Sequence, residues 1–127
     1  MVQLNAPMVG VAGEQIVIAE FARRGVEVYT AAGPYTSDLM IRVAGRTYSV
    51  QVKATEVGAP ARFWLRRSKN RSYSDGEIDL FAVVEVSTGR VALLPHPENN
   101  TIVLDFDSLR PEWDFDNVIN GLREGGT

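Results

Sequence analysis

Ser37 to Ala54 reads SDLMIRVAGRTYSVQVKA, and this stretch decides the fold. Two runs rich in β-formers, Asp38–Val43 and Arg46–Ala54, flank Ala44–Gly45, a pair suited to a tight two-residue hairpin turn. Side chains alternate across a strand, so Ser49, Gln51 and Lys53 share one face while Val50, Val52 and Ala54 share the other. On the preceding strand Asp38, Met40 and Arg42 stand opposite in facing to Leu39, Ile41 and Val43. The hairpin therefore separates a polar face from an apolar one, and both strands offer their reactive side chains on the same side.

Working outward, Gly10–Arg24 is predicted as a first helix, in which Ile16, Ala19 and Arg23, with Val17 and Phe21 alongside, give an apolar stripe, and Gly25 is its stop. Val26–Thr30 reads as a short strand, and Ala31–Ser37 as a turn-rich connection. Glu56–Gly76 is a long connecting segment. Ile78–Val86, apolar almost throughout, is predicted as a central buried strand. Gly89 turns the chain into Val91–Leu94, which Pro95 and Pro97 end; Ile102–Phe106 reads as a further edge strand. Pro111–Asn120 fits a short terminal helix stopped by Gly121, with Glu124–Thr127 frayed. Phe21, Leu80 and Phe81 are assigned to the core, Asp79 to a hydrogen-bonded structural role, and His96 to none. The expected fold is α/β, a central mixed sheet flanked by helices, in a single domain spanning 1–127 with its core at about 10–97 and a C-terminal extension at 98–127.

Composition narrows the chemistry. The 127 residues include no cysteine and a single histidine, which removes thiolate metal sites and leaves little for a zinc centre. Any cation would be held by oxygens, as magnesium is. No signal peptide or apolar span is read, so the expected location is intracellular and cytoplasmic, with no membrane partner. The net charge of −3 is unevenly spread. Residues 98–127 hold seven acids and two bases, a sum of −5, leaving +2 for residues 1–97. Arg62, Arg66, Arg67, Lys69 and Arg71 fall in one run without an acid, with Trp64 and Tyr73 nearby, and are read as a phosphate-tracking surface; Tyr35 and Arg42 are further candidates.

Glu14 in the helix, Asp38 opening a strand, and Gln51-x-Lys53 on the next make a constellation suited to phosphodiester hydrolysis. Asp38 supplies a carboxylate, Gln51 a carbonyl oxygen, Val52 a backbone carbonyl, and Lys53 a positive charge where anionic charge develops. Each residue alone has an ordinary reading. Asp38 would serve a turn, Gln51 and Lys53 would be solvated, and Glu14 would favour a helix N-terminus. Their order and facing together carry the reading.

Gly13–Glu14, Arg23–Gly25, Ser37–Leu39, Gln51–Lys53, Tyr73, IDLFAVV at 78–84 and Leu93–Pro95 together resemble the PD-(D/E)XK nuclease superfamily. The likeness is strongest to the group I intron homing endonucleases of that fold, which also end the motif in Q-x-K, and weaker to archaeal Holliday-junction resolvases. It covers roughly residues 10–97. It implies a restriction-endonuclease-like core and a Mg²⁺- or Mn²⁺-dependent endodeoxyribonuclease. Asp38 would bind the metal with support from Glu14 and Gln51, and Lys53 would be catalytic. DNA is the implied partner, and a homodimer or homotetramer the implied assembly. A structure-specific nuclease, or a DNA-binding module that keeps the fold without the chemistry, are the alternatives.

Overall fold

The structure, a computed structural model, describes residues 4–30, 38–56, 61–64, 78–95 and 101–125, with Phe63 the described side chain of 61–64. Helix α1 spans Ala6–Arg23, starting four residues before the predicted Gly10. Asn5 is the reason: its side chain accepts the Met8 N–H at 3.0 Å and caps the first turn, ahead of any strongly apolar residue. At the other end Gly25 adopts φ +74°, and the Val26 and Gly25 N–H groups close onto the Phe21 and Ala22 carbonyls, both at 3.0 Å. Val26 then packs in the cluster that holds Phe21. The buried face of α1 is Gly13, Val17 and Phe21; of the predicted stripe, Ile16, Val17 and Phe21 face the core, whereas Ala19 and Arg23 are exposed.

Strands β1 (Glu27–Thr30), β2 (Leu39–Val43), β3 (Arg46–Thr55), β5 (Leu80–Glu85) and β6 (Arg90–Pro95) form one sheet in the order β1-β2-β3-β5-β6. Every pairing is antiparallel except β3 with β5, which makes the sheet mixed. The hairpin turn is as expected: Ala44 and Gly45 take φ 51° and 79°, joining β2 to β3. All six residues of β5 are buried, as a central strand requires.

A second sheet corrects one expectation. Ala61–Trp64, inside the segment predicted as a connection, is strand β4, and Thr101–Leu104 is β7; they pair antiparallel with each other. The edge strand predicted at 102–106 is therefore present, as one half of this second sheet. It ends at Leu104, where Asp105 caps a 3-10 turn through the Asp107 N–H. A second correction concerns helix α2 (Phe115–Gly125), which follows a 3-10 turn at Pro111–Trp113 and runs through Gly121. Leu122 packs against the core and Arg123 donates to the Arg24 carbonyl at 2.6 Å, so tertiary contacts carry the helix past the glycine.

The two faces of the sheet bury different clusters. On one, α1 and α2 cover Leu39, Ile41, Val50, Ala82 and Leu93, with Phe21 and Phe115 rings 5.0 Å apart. On the other, Phe63, Leu104 and Phe106 cover Phe81, Val83, Ala92 and Leu94. The segment after Pro97 therefore supplies side chains to both clusters. Among the described residues no helix is long and apolar enough to cross a membrane.

Candidate active site

Strand lengths open the site. β2 pairs with β3 only from Arg46 to Val50, whereas β5 pairs with β3 from Val50 to Thr55. Past Val50, no strand among the described residues continues along the β2 side of β3. Asp38, one residue before β2, stands at that point, where its N–H donates to the Val50 carbonyl at 3.1 Å. Its carboxylate takes the place of the next strand, accepting the Val52 N–H on Oδ2 at 3.0 Å. A strand residue's N–H and C=O point to the same edge, so the Val52 carbonyl faces the edge that Asp38 occupies.

The β2–β3 register, extended by one residue, sets Asp38 opposite Gln51. Gln51 pairs with Phe81 and Lys53 with Val83, so Gln51 and Lys53 project on the face of the Phe81 cluster. Val52 and Ala54 project toward α1. Glu14 arrives from that helix side. A Cβ on Gly13 would stand 2.6 Å from the Ala54 Cβ, so the missing side chain is what lets α1 lie on β3 with Glu14 beside the strand. Glu14 is also more than two turns into a helix that begins at Ala6, which removes a helix-terminus explanation for it.

Electrostatics tie the group together. Burial and the Asp38 charge both raise the Glu14 pKa. Burial lowers that of Lys53, against the opposing pull of Asp38. Asp38 thus acts on both neighbours. Gln51 Oε1 is shut off from solvent and accepts no hydrogen bond among the described residues. A buried carbonyl oxygen without a partner is destabilising, and its persistence marks a place where a donor or cation belongs. Among the described residues there is no group of three or more His, Cys, Asp or Glu, so two carboxylates and amide oxygens are what this site offers. That donor set fits a hard cation of the magnesium type, which takes oxygen ligands and keeps several waters.

The structure therefore brings Glu14, Asp38, Gln51, Val52 and Lys53 to one strand edge, with Glu14 from the opposite side of the sheet to Gln51 and Lys53. The basic run is a different matter. Arg62 lies on β4 opposite Val103, its side chain outside the described set. Arg66, Arg67, Lys69, Arg71, Tyr73, Tyr35 and His96 lie outside the described residues altogether. Sequence reasoning missed what sets the position of β3. Asp79 Oδ2 accepts the Ser49 N–H at 2.8 Å and the Ser49 hydroxyl at 3.1 Å, while the Asp79 N–H donates to Ser49 O at 3.1 Å and to Oγ at 2.9 Å. Asp79 was correctly read as structural, but its partner is legible only once β3 and β5 are known to run parallel.

This architecture, a five-stranded mixed sheet with helices on one face and a β-ribbon on the other, has a counterpart among solved structures. The chain matches the structure of a bacterial homing endonuclease, I-Ssp6803I, with a TM-score of 0.73 and 17% sequence identity, over 97% of this chain and 96% of that one. No protein-family model matches the chain, and neither does any curated protein.

Proposed function

We propose that this protein is a metal-dependent DNA endonuclease whose centre is Glu14, Asp38, Gln51, Val52 and Lys53. The observation that carries the reading is the Gln51 Oε1 atom, buried and without a donor among the described residues, on the strand edge where Asp38 sits. Asp38, Gln51 Oε1 and the Val52 carbonyl, supported by Glu14, would hold Mg²⁺ or Mn²⁺. Such an ion activates water and neutralises charge on the phosphoryl oxygens. Lys53 sets an ammonium against the anionic charge that builds in the transition state, and its half-buried position strengthens that interaction. Glu14, with its raised pKa, accepts a hydrogen bond from the attacking water and orients it. The neighbour's description as a homing endonuclease agrees with DNA as substrate. One such centre cuts one strand, so duplex cleavage calls for a second copy.

The neutral Gln51 also suits a module that binds DNA without cutting it, because one charge fewer weakens cation affinity. Conversion of supercoiled plasmid to nicked or linear form, with and without Mg²⁺ or Mn²⁺, separates the two. Metal-dependent cutting is expected, and Lys53→Ala should reduce it by about 10²–10³-fold or more while binding and folding persist. Cutting undiminished by Lys53→Ala contradicts the assignment. A parallel panel of linear duplexes and four-way junctions tells a sequence-reading enzyme from a structure-specific one.

A further inference from the structure

We infer that the sheet face running from the centre along β2, exposed where Arg42 stands as its cation, is a track for the DNA backbone that flanks the cleaved phosphate. The inference rests on the endonuclease reading and adds the path the substrate takes. On the site face, Asp38, Met40 and Arg42 follow one another at every second residue of the chain entering and forming β2. Met40 lies opposite Ser49 on β3 and Tyr29 on β1; Arg42 lies opposite Thr47 and Glu27. Phe63, Leu104 and Phe106 cover this face of the sheet over β5 and β6. Over β1 and the far end of β2 it is exposed, with Tyr29 52% exposed and Arg42 and Thr47 exposed, while nearer the centre Met40 is partly buried and Ser49 buried.

The distribution of charge points the same way. Arg23 pairs with Glu20, Arg24 with Glu20 and Asp116, Arg90 with Glu85 and Asp107, and Arg110 with Glu112. Arg123 is occupied by the Arg24 carbonyl. Arg42 and Arg46, both on the hairpin that carries the centre, have no carboxylate within ion-pair distance among the described residues. Arg46 falls on the helix side of β3, two residues before Tyr48, which packs against that cluster. Arg42 alone of the two shares a face with Gln51 and Lys53. It stands four residues from Asp38, about 13 Å along an extended strand, the axial span of roughly four nucleotides of one DNA strand. Tyr29 adds a ring whose hydroxyl donates to the Glu27 carboxylate at 2.7 Å, the amphipathic kind of side chain that lies against sugar and phosphate. Glu27 is the opposing feature: its carboxylate faces Arg42 and weakens the local field.

That opposition gives the test two directions. Binding of a fluorescein-labelled duplex is followed by anisotropy without divalent cation, over a series of salt concentrations, for wild type, Arg42→Gln and Glu27→Gln. Loss of one phosphate contact should weaken binding several-fold in Arg42→Gln and lower the slope of log K against log salt by about 0.9. Glu27→Gln should tighten binding. Both side chains are exposed, so circular dichroism should match wild type. A wild type that binds and cuts DNA, with Kd and salt slope unchanged in Arg42→Gln, overturns the track and leaves the endonuclease reading standing. A wild type that binds no DNA overturns both.

Discussion

Gly13 and Ala54 meet so closely that a Cβ on the glycine would stand 2.6 Å from that of the alanine. This contact sets the height of α1 above β3 and, through the next residue, the approach of Glu14 to Asp38. Neither partner is the flexible end of a long side chain, so one element must move if Gly13 gains a Cβ. Gly13→Ala should gain about 1 kcal/mol of helix propensity and lose about 1–3 kcal/mol to overpacking, leaving the protein less stable. Adding Ala54→Gly should restore much of the loss. Urea denaturation of the two single variants and the double variant measures the coupling, expected at about 0.5–3 kcal/mol. Additive effects would mean that the helix and strand are not in contact here.

Ala44 holds φ 51° in the hairpin turn, a conformation that an alanine adopts at a penalty of roughly 1–2 kcal/mol. Asparagine tolerates it, and Asn-Gly is the preferred pair for such a turn. Ala44→Asn should raise stability by about 0.5–1 kcal/mol and Tm by roughly 4 °C. A thermal melt that shows no gain would mean that another turn geometry is populated.

The hairpin was legible because two signals agreed: alternation on both strands and a turn pair between them. The site followed from it, since period two alone put Gln51 and Lys53 together. The stripe of α1 was legible at Ile16, Val17 and Phe21 but not at its margins, because Val9, Val11, Ile16, Val17 and Ile18 make the helix apolar around much of its circumference, and periodicity then does not exclude Ala19 and Arg23. Strand β4 hid in a segment dominated by cations, and what makes Ala61–Trp64 a strand is pairing with Thr101–Leu104, distant in sequence. Gly121 reads as a stop on local grounds only; Leu122 and Arg123 override it with contacts to other elements.

Asp79 secures the strand that carries Gln51 and Lys53 by gripping Ser49, two residues before Gln51 on the same face. Ser49 is buried, so Asp79→Ala removes the carboxylate acceptor that its N–H and hydroxyl share. The expected loss is about 1–3 kcal/mol. Asp79→Asn, which keeps one acceptor oxygen, should lose less. Denaturation midpoints rank the variants, and equal losses for both would show that charge, not hydrogen bonding, holds the strands.

Glu14 and Lys53 make stability depend on pH in opposite ranges. The folded pKa of Glu14 is raised, so its contribution is fully present below its ordinary value of 4.5 and is lost as pH rises through the folded value. The folded pKa of Lys53 is lowered, so its contribution is present above 10.5 and is lost as pH falls through the folded value. At neutral pH, without a cation, both charges are unfavourable. Glu14→Gln should therefore stabilise the cation-free protein at pH 7, by less than about 1 kcal/mol given partial solvent screening, and the advantage should close once the pH drops below 4.5. Urea midpoints at the two pH values provide the comparison; an advantage that widens in acid would reverse the sign assigned to Glu14.

Gln51 sets stability against function at a single atom. Its buried Oε1 is without a donor among the described residues, so Gln51→Met, similar in size and free of the amide, should stabilise the cation-free protein by about 1 kcal/mol. A ligand at one hundred times its Kd stabilises by about 2.7 kcal/mol, so wild type should melt higher when Mg²⁺ or Mn²⁺ is added. Gln51→Met should lose that rise along with cleavage. Gln51→Glu should behave in the reverse sense, because a carboxylate beside Asp38 repels it until a cation arrives. It should be less stable than wild type without metal and show the larger rise with it. Melts of the three proteins, with and without cation, separate these cases. A Gln51→Met protein whose melting temperature still climbs with Mg²⁺ would place the cation elsewhere.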